Sequence, residues 1–230
     1  MTVAGLQKLS LVDFPGKTAA VVFSQGCNFK CGYCQNPDLI TTKRTFDITE
    51  KDVLDFLELR KDMLDAVVIS GGEPTIQDDL PDFIRRVAGF GLEIKLDTNG
   101  SLPSVIGKLL DDRLIDYMAV DIKTSPGKYP HVTDQQDIGR CIRDSIGLTM
   151  SSDIPYEFRT TCVPGLLEEQ DLHNIGDMVM GARKYILQQF RPEVTYDKTF
   201  AGIKKFSPQE INRFADILRS YVEEVGVRGV

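Results

Sequence analysis

Six short runs rich in β-branched and aromatic residues recur along the 230-residue chain, and segments of helical spacing separate them. The runs are TAAVVFS (18–24), AVVIS (66–70), LEIKLDT (92–98), YMAVDIK (117–123), YEFRTTCV (156–163) and KYILQQF (184–190). Parallel strands cannot be joined by a tight turn and need a crossover, usually a helix. A strand–helix alternation of this kind therefore predicts an α/β fold with an open parallel sheet and helices outside. Six such units fall two short of a closed eightfold barrel, so the expected architecture is a partial (β/α)6 barrel. The pattern alone also permits a doubly wound open sheet.

Helix signals fit this frame. Between 78 and 89, Leu80, Phe83, Ile84, Val87 and Ala88 share one face. The last helix opens with SPQE, where Ser207 is the N-cap, Pro208 takes the first turn and Glu210 completes a capping box. Its apolar face is expected to run through Ile211, Phe214, Ala215, Leu218, Tyr221 and Val222 to Val225. Neither a linker nor a repeat divides the sequence, so a single domain over 1–230 is expected.

Charge and apolar content narrow the function classes. The net charge is −7 without a basic block, which disfavours a nucleic-acid partner. No apolar run approaches the roughly 18 residues of a membrane span, and the first residues resemble no signal peptide, so a cytoplasmic protein is expected. Five cysteines, three of them clustered, suit ligand thiolates better than a disulfide framework. Cys141 and Cys162 are expected to be buried, inert thiols.

In either architecture, chemistry gathers at the carboxyl ends of the strands. There lie CNFKCGYCQNP (27–37) after the first run, GGEP (71–74) after the second, DTNG (97–100) at the end of the third and DIK (121–123) at the end of the fourth. Cys27, Cys31 and Cys34 form C-x-x-x-C-x-x-C without a fourth cysteine nearby. A structural zinc site would be closed by a fourth ligand, and the two histidines, His131 and His173, do not have ligand spacing. A plain electron-transfer cluster usually takes four thiolates. Three thiolates on a [4Fe-4S] cluster leave one iron open to another ligand.

That cysteine spacing, with Tyr33 before the last cysteine and a strand before the loop, resembles the signature of the radical S-adenosylmethionine (SAM) superfamily. The resemblance implies that 1–230 is a radical SAM domain, with Cys27, Cys31 and Cys34 holding the cluster. It further implies that SAM chelates the open iron and is cleaved to a 5′-deoxyadenosyl radical. Cluster and SAM then carry the radical chemistry, while protein groups bind and orient. Asn28, Phe29, Lys30 and Tyr33 would flank the cluster or touch the adenine, and Gly71, Gly72 and Glu73 would meet the methionyl amino group. Lys123 can neutralise the SAM carboxylate, and Asp121 can pair with it or hold a cation. Thr98 and Asn99 belong to a DTNG segment that also reads as a simple turn. A residue at the end of the sixth run would reach the ribose or adenine, with Gln188, Gln189 and Arg191 as candidates. Arg159 suits either the pocket or a satisfied buried ion pair.

The segment GLQKLSLVDFPGK, the trailing CQNP and the D-x-K are similar to the activating enzymes of glycyl radical enzymes, and most of all to anaerobic ribonucleoside-triphosphate reductase activating proteins. Gln35 departs from the histidine that many relatives carry. The resemblance implies a glycyl radical enzyme partner, anaerobic ribonucleotide reductase, and reduced flavodoxin or ferredoxin as electron donor. One alternative is a radical SAM enzyme acting on a small molecule, as in deazapurine biosynthesis. Another is a cluster-bearing module without turnover, which would have no need of GGEP and DIK.

Overall fold

In a computed structural model that describes residues 1–43 and 46–230, the strands form one eight-stranded sheet in sequential order, β1 to β8. The chain runs β1 (Val3–Ser10), β2 (Ala19–Ser24), α1 (Glu50–Arg60), β3 (Ala66–Gly71), α2 (Leu80–Ala88), β4 (Glu93–Thr98), α3 (Pro103–Asp111) and β5 (Tyr117–Asp121). It continues through α4 (Tyr129–Thr133), α5 (Gly139–Ser151), β6 (Tyr156–Cys162), α6 (Glu169–Met178), β7 (Lys184–Gln189), α7 (Pro208–Leu218) and β8 (Glu224–Arg228). Strands β2 to β8 are parallel, and only β1 is antiparallel to its neighbour. The sheet stays open, with β1 and β8 as its edges.

The six expected strands are β2 to β7, and an edge strand is added on each side. β1 carries Gly5 and two irregularities in its register with β2, so it shows no clean alternation. β8 is only EVGVR, half-buried. The apolar face expected to extend α7 to Val225 is divided: the helix stops at Leu218, and Val225 and Val227 belong to β8. Valines two apart around Gly226 follow the period of a strand, not of a helix. The capping box of Ser207 and Glu210 forms as expected, and Thr49 with Asp52 makes another at α1.

The main core lies between the convex face of the sheet and the helices. Leu80, Phe83, Ile84 and Val87 of α2 are fully buried there, and each such side chain is worth about 1.5–3 kcal/mol. The concave face is built differently. Its amino-terminal end is plugged by Phe14, Val21, Val68 and Tyr117, with the Phe14 and Tyr117 rings 5.5 Å apart. Its carboxyl-terminal end is polar, which leaves room for a site. Cys162 is buried and Cys141 only half-buried. Among the described residues no helix is long and apolar enough to cross a membrane.

A candidate cluster and cofactor site at the carboxyl end of the sheet

The three clustered cysteines line one cavity of about 240 Å³ above the polar end of the concave face. Gly71, Gly72 and Glu73 line it at and just past the end of β3, Thr98 and Asn99 at that of β4, and Asp121 and Lys123 at that of β5. Tyr33 and Phe29 line it beside the cysteines and are nearly inaccessible to solvent, so their packing and their place in the site coincide. Of the DTNG segment, Asp97 and Thr98 end β4 and the chain bends at Gly100, whose φ is +72°; Asp97, Thr98 and Asn99 face the site.

The cysteine loop is held by its backbone. Gly26 and Cys27 N–H donate to Leu39 and Ile40 carbonyls at 2.8 and 3.1 Å, and Lys30 N–H donates to Thr133 O at 3.0 Å. Asn28 ties the loop to the turn after β4: it accepts from Asn99 Nδ2 at 2.9 Å and donates to Ser101 Oγ at 2.8 Å. Gly71 and Gly72 serve the same joint. A Cβ on Gly71, whose φ is +124°, would lie 2.2 Å from Ser24 N, and one on Gly72 would lie 2.0 Å from Gly26 O. Only glycine fits so close a backbone approach. With the side chains absent, Gly72 N–H reaches Ser24 O at 3.0 Å and Glu73 N–H reaches Gly26 O at 2.8 Å. The glycine pair thus welds the β3 turn to the cysteine loop, a role that the sequence reading had not separated from ligand approach.

Glu73 is buried. Its Oε1 accepts from Thr98 Oγ1 at 2.7 Å and Thr75 Oγ1 at 2.6 Å, and its Oε2 accepts from Asn99 N–H at 2.6 Å. Burial raises its pKa, and these hydrogen bonds oppose the rise. Two carboxylate oxygens offer about four acceptor sites, so Oε2 retains capacity toward the cavity.

Charges along the concave face form a continuous chain. Lys123 Nζ pairs with Asp121 Oδ2 at 3.0 Å, and Asp121 Oδ1 accepts from Arg159 Nε at 2.8 Å. Arg159 Nη1 reaches Asp97 Oδ2 at 3.2 Å, and Lys95 Nζ meets Asp97 Oδ1 at 2.7 Å. Arg159 is therefore a satisfied buried arginine, and it stands behind the site. Burial works against the Asp121 and Asp97 carboxylates, but Arg159 and the lysines outweigh it and hold both below the usual range. Burial likewise opposes the Lys123 ammonium, and Asp121 more than restores it. β5 ends at Asp121, so Lys123 lies beyond the strand, fixed by its N–H to Tyr129 Oη at 3.1 Å.

Gln189 and Arg191 are not brought to this cavity. Strand alternation turns Gln189 away, and its Nε2 donates to Phe206 O at 2.7 Å. Arg191 lies past the strand end in a neighbouring cavity with Gln35, Asn36 and Lys205. Gln188 lines the site, together with Thr161, its register partner on β6. The alternation in KYILQQ carried the signal, since Tyr185 and Leu187 lie on the buried face and Gln188 on the other.

The donor set fits a cluster better than a single ion. Among the described residues no group of three or more His, Cys, Asp or Glu side chains could hold one metal ion, so the zinc reading finds no site. In a cubane each thiolate binds its own iron, which requires three separate sulfurs facing one space. Burial raises the Cys27 and Cys31 thiols to about 12 and about 11. Among the described residues the buried Tyr33 hydroxyl interacts with the Cys31 thiol but has no hydrogen-bond partner of normal geometry, so it is a polar group that a bound ligand can satisfy.

Residues 21–175 match the sequence profile of the Radical SAM superfamily. The chain belongs to that superfamily. Membership makes a [4Fe-4S] cluster and SAM its cofactors. A protein of Methanocaldococcus jannaschii, provisionally named a glycyl-radical enzyme activating enzyme, is 37% identical over 235 aligned residues, covering 99% of this chain and 96% of that one. Two partial relatives are similar to parts of the chain. The pyruvate formate-lyase-activating enzyme of Listeria monocytogenes is 32% identical over 59% of this chain and 58% of its own. The 7-carboxy-7-deazaguanine synthase of Methanopyrus kandleri is 31% identical over 56% and 58%. In fold, the chain is similar to Streptococcus suis SuiB, solved bound to SAM, with a TM-score of 0.70 and 17% identity over 91% of this chain and 50% of SuiB.

Proposed function

We propose that this chain is the activating enzyme of a glycyl radical enzyme, with anaerobic ribonucleotide reductase as its partner and reduced flavodoxin or ferredoxin as its electron donor in the cytoplasm. When bound, the reduced cluster and SAM supply one-electron cleavage of the sulfonium bond and, through it, abstraction of a hydrogen atom. Cys27, Cys31 and Cys34 hold the cluster. Gly71, Gly72 and Glu73 receive the methionyl amino group, with the free lone pair of Glu73 Oε2 as acceptor. Lys123, aimed by Asp121, receives the carboxylate. Tyr33 and Gln188 take the nucleoside end, and Thr98 and Asn99 position Glu73. Gln189 and Arg191 have no part in this assignment.

The observation that carries the reading is the end-to-end similarity to the M. jannaschii protein, which spans nearly the whole of both chains. The open sheet supports it, because a gap between edge strands β1 and β8 leaves a side through which a protein loop can reach the cavity. The partial likeness to the deazaguanine synthase favours the second reading, a small-molecule substrate. Anaerobically reconstituted protein with dithionite and SAM is expected to form 5′-deoxyadenosine, and with the reductase to give a glycyl doublet in electron paramagnetic resonance. Cleavage without the doublet, for every glycyl radical enzyme of the same organism, would favour the small-molecule reading. Absence of cleavage would refute both.

A further inference from the structure

The connection from β7 to α7, residues 190–207, packs against the back of the cysteine loop. Tyr196 N–H donates to Cys34 O at 3.1 Å and Asp197 N–H to Gly32 O at 2.8 Å. Phe200 stands edge-on to Tyr33 at 6.4 Å, and a Cβ on Gly32 would lie 2.6 Å from its ring. Yet among the described residues none from 192–206 lines the cavity. The segment is a strap: the cavity lies on one side of the cysteine loop and the strap on the other.

The outer face of the strap is rich in cations. Arg191, Lys198, Lys204 and Lys205 are exposed there against two acids, Glu193 and Asp197, in a chain of net charge −7. Lys184 and Arg213, which flank the strap, are paired with Glu224 and Glu169. Among the described residues the four strap cations form no ion pair within 4 Å; Lys204 is close enough to Glu210, at the start of α7, to help lower its pKa, behind the capping bonds from Ser207. Val194 and Tyr196, 50% and 46% exposed, lie among them. Exposed aromatic and apolar groups rimmed by unpaired charge have the composition of a docking surface. Small interfaces of this kind are typical of redox encounters, where charge sets the rate of meeting.

We infer that the strap is the docking face for an acidic, low-potential redox protein that passes one electron to the cluster through the Gly32–Cys34 backbone. Each encounter oxidises the donor by one electron and reduces the cluster by one, with no proton or bond exchanged. Position selects this partner over the substrate enzyme. The strap backs the cluster loop, whereas a hydrogen donor must reach the cavity. The inference rests on the cluster assignment and not on which substrate the radical attacks.

The test compares the wild type with K198E/K204E/K205E, three exposed positions outside the cavity. Binding of an acidic ferredoxin to each full chain is measured by titration calorimetry at low and moderate salt, and cluster reduction by the reduced ferredoxin is followed by stopped flow. Charge reversal is expected to weaken binding and slow reduction by about tenfold or more. The wild-type affinity is expected to fall as the Debye length shrinks from about 30 Å at 0.01 M to about 8 Å at 0.15 M salt. Dithionite-driven formation of 5′-deoxyadenosine should be the same in both. Equal ferredoxin binding by the two chains overturns the inference. So does a variant that binds ferredoxin normally but loses dithionite-driven radical transfer to the reductase, since the patch would then dock the substrate enzyme. Failure of the activase reading registers separately, as SAM cleavage without a glycyl doublet, and leaves the binding comparison intact.

Discussion

Replacing Arg159 by Met removes the one cation shared by two carboxylates of the concave face. Its Nε is 2.8 Å from Asp121 and its Nη1 3.2 Å from Asp97, and the residue is only 8% exposed. Breaking a buried ion set by deleting one partner costs about 3–5 kcal/mol, because charge is left uncompensated. Here each aspartate keeps a lysine, Lys95 at 2.7 Å and Lys123 at 3.0 Å, so the low end applies, about 3 kcal/mol. In a chain of this size that corresponds to a fall of about 6–12 °C in melting temperature. The pH dependence has a definite sign. Both carboxylates have depressed folded pKa values, so their contribution is present above the unfolded carboxylate pKa and is lost as pH falls through the folded values. The gap between wild type and variant should therefore be widest near neutral pH and close in acid. Thermal and urea unfolding of the metal-free protein, followed by circular dichroism, measures both. A loss below about 1 kcal/mol, or a gap that widens in acid, would refute the reasoning.

Other positions give sharper yes-or-no outcomes. Gly72→Ala sets a Cβ against backbone atoms of Gly26 and Leu39, at 2.0 and 2.8 Å, which cannot swing aside. It should cost about 1–3 kcal/mol and lower the iron bound per chain after reconstitution. Cys31→Ala should abolish cluster assembly, read as iron and sulfide content, while Cys162→Ala, buried on the convex side, should retain the cluster and lose about 1 kcal/mol of stability. Asp171 accepts from Lys128 at 2.7 Å, Ser125 at 2.6 Å and the Glu168 N–H at 2.9 Å, which overcome burial and depress its pKa. Asp171→Asn should cost about 1–2 kcal/mol at neutral pH and much less in acid, where the wild type loses the same contribution.

How far the sequence foretells this molecule depends on whether a residue acts locally or across the fold. Strands β2 to β7 were legible because each is a short run with β-branched, aromatic or other apolar residues at its centre, mostly buried, and a parallel order follows from the helices between them. β1 and β8 carry weaker patterns: each edge has a neighbour on one side only, and Gly5 and Gly226 interrupt the run. The cysteines, the GGE turn and the D-x-K were legible as chemistry. Why Gly71 and Gly72 must be glycine was not, because the atoms that exclude a side chain belong to Ser24, Gly26 and Leu39, 33 to 47 positions upstream. The strap was hidden for the same reason, since its bonds to Gly32 and Cys34 cross more than 160 positions and involve backbone that any residue supplies.

These two long-range contacts act on one short loop from opposite sides. The β3 turn joins it at Ser24 and Gly26, before the first cysteine, and the strap joins it at Gly32 and Cys34, around the last. Phe29, Cys31 and Tyr33 anchor the middle of this loop in the main core, and the two clamps fix its ends. Clamped at both ends, it keeps three sulfurs, that of Cys31 buried and those of Cys27 and Cys34 half-buried, facing one space before any iron arrives, and assembly is spared much of the entropy of ordering the ligands. Loosening either clamp should therefore show first in cluster retention, ahead of any change in global unfolding.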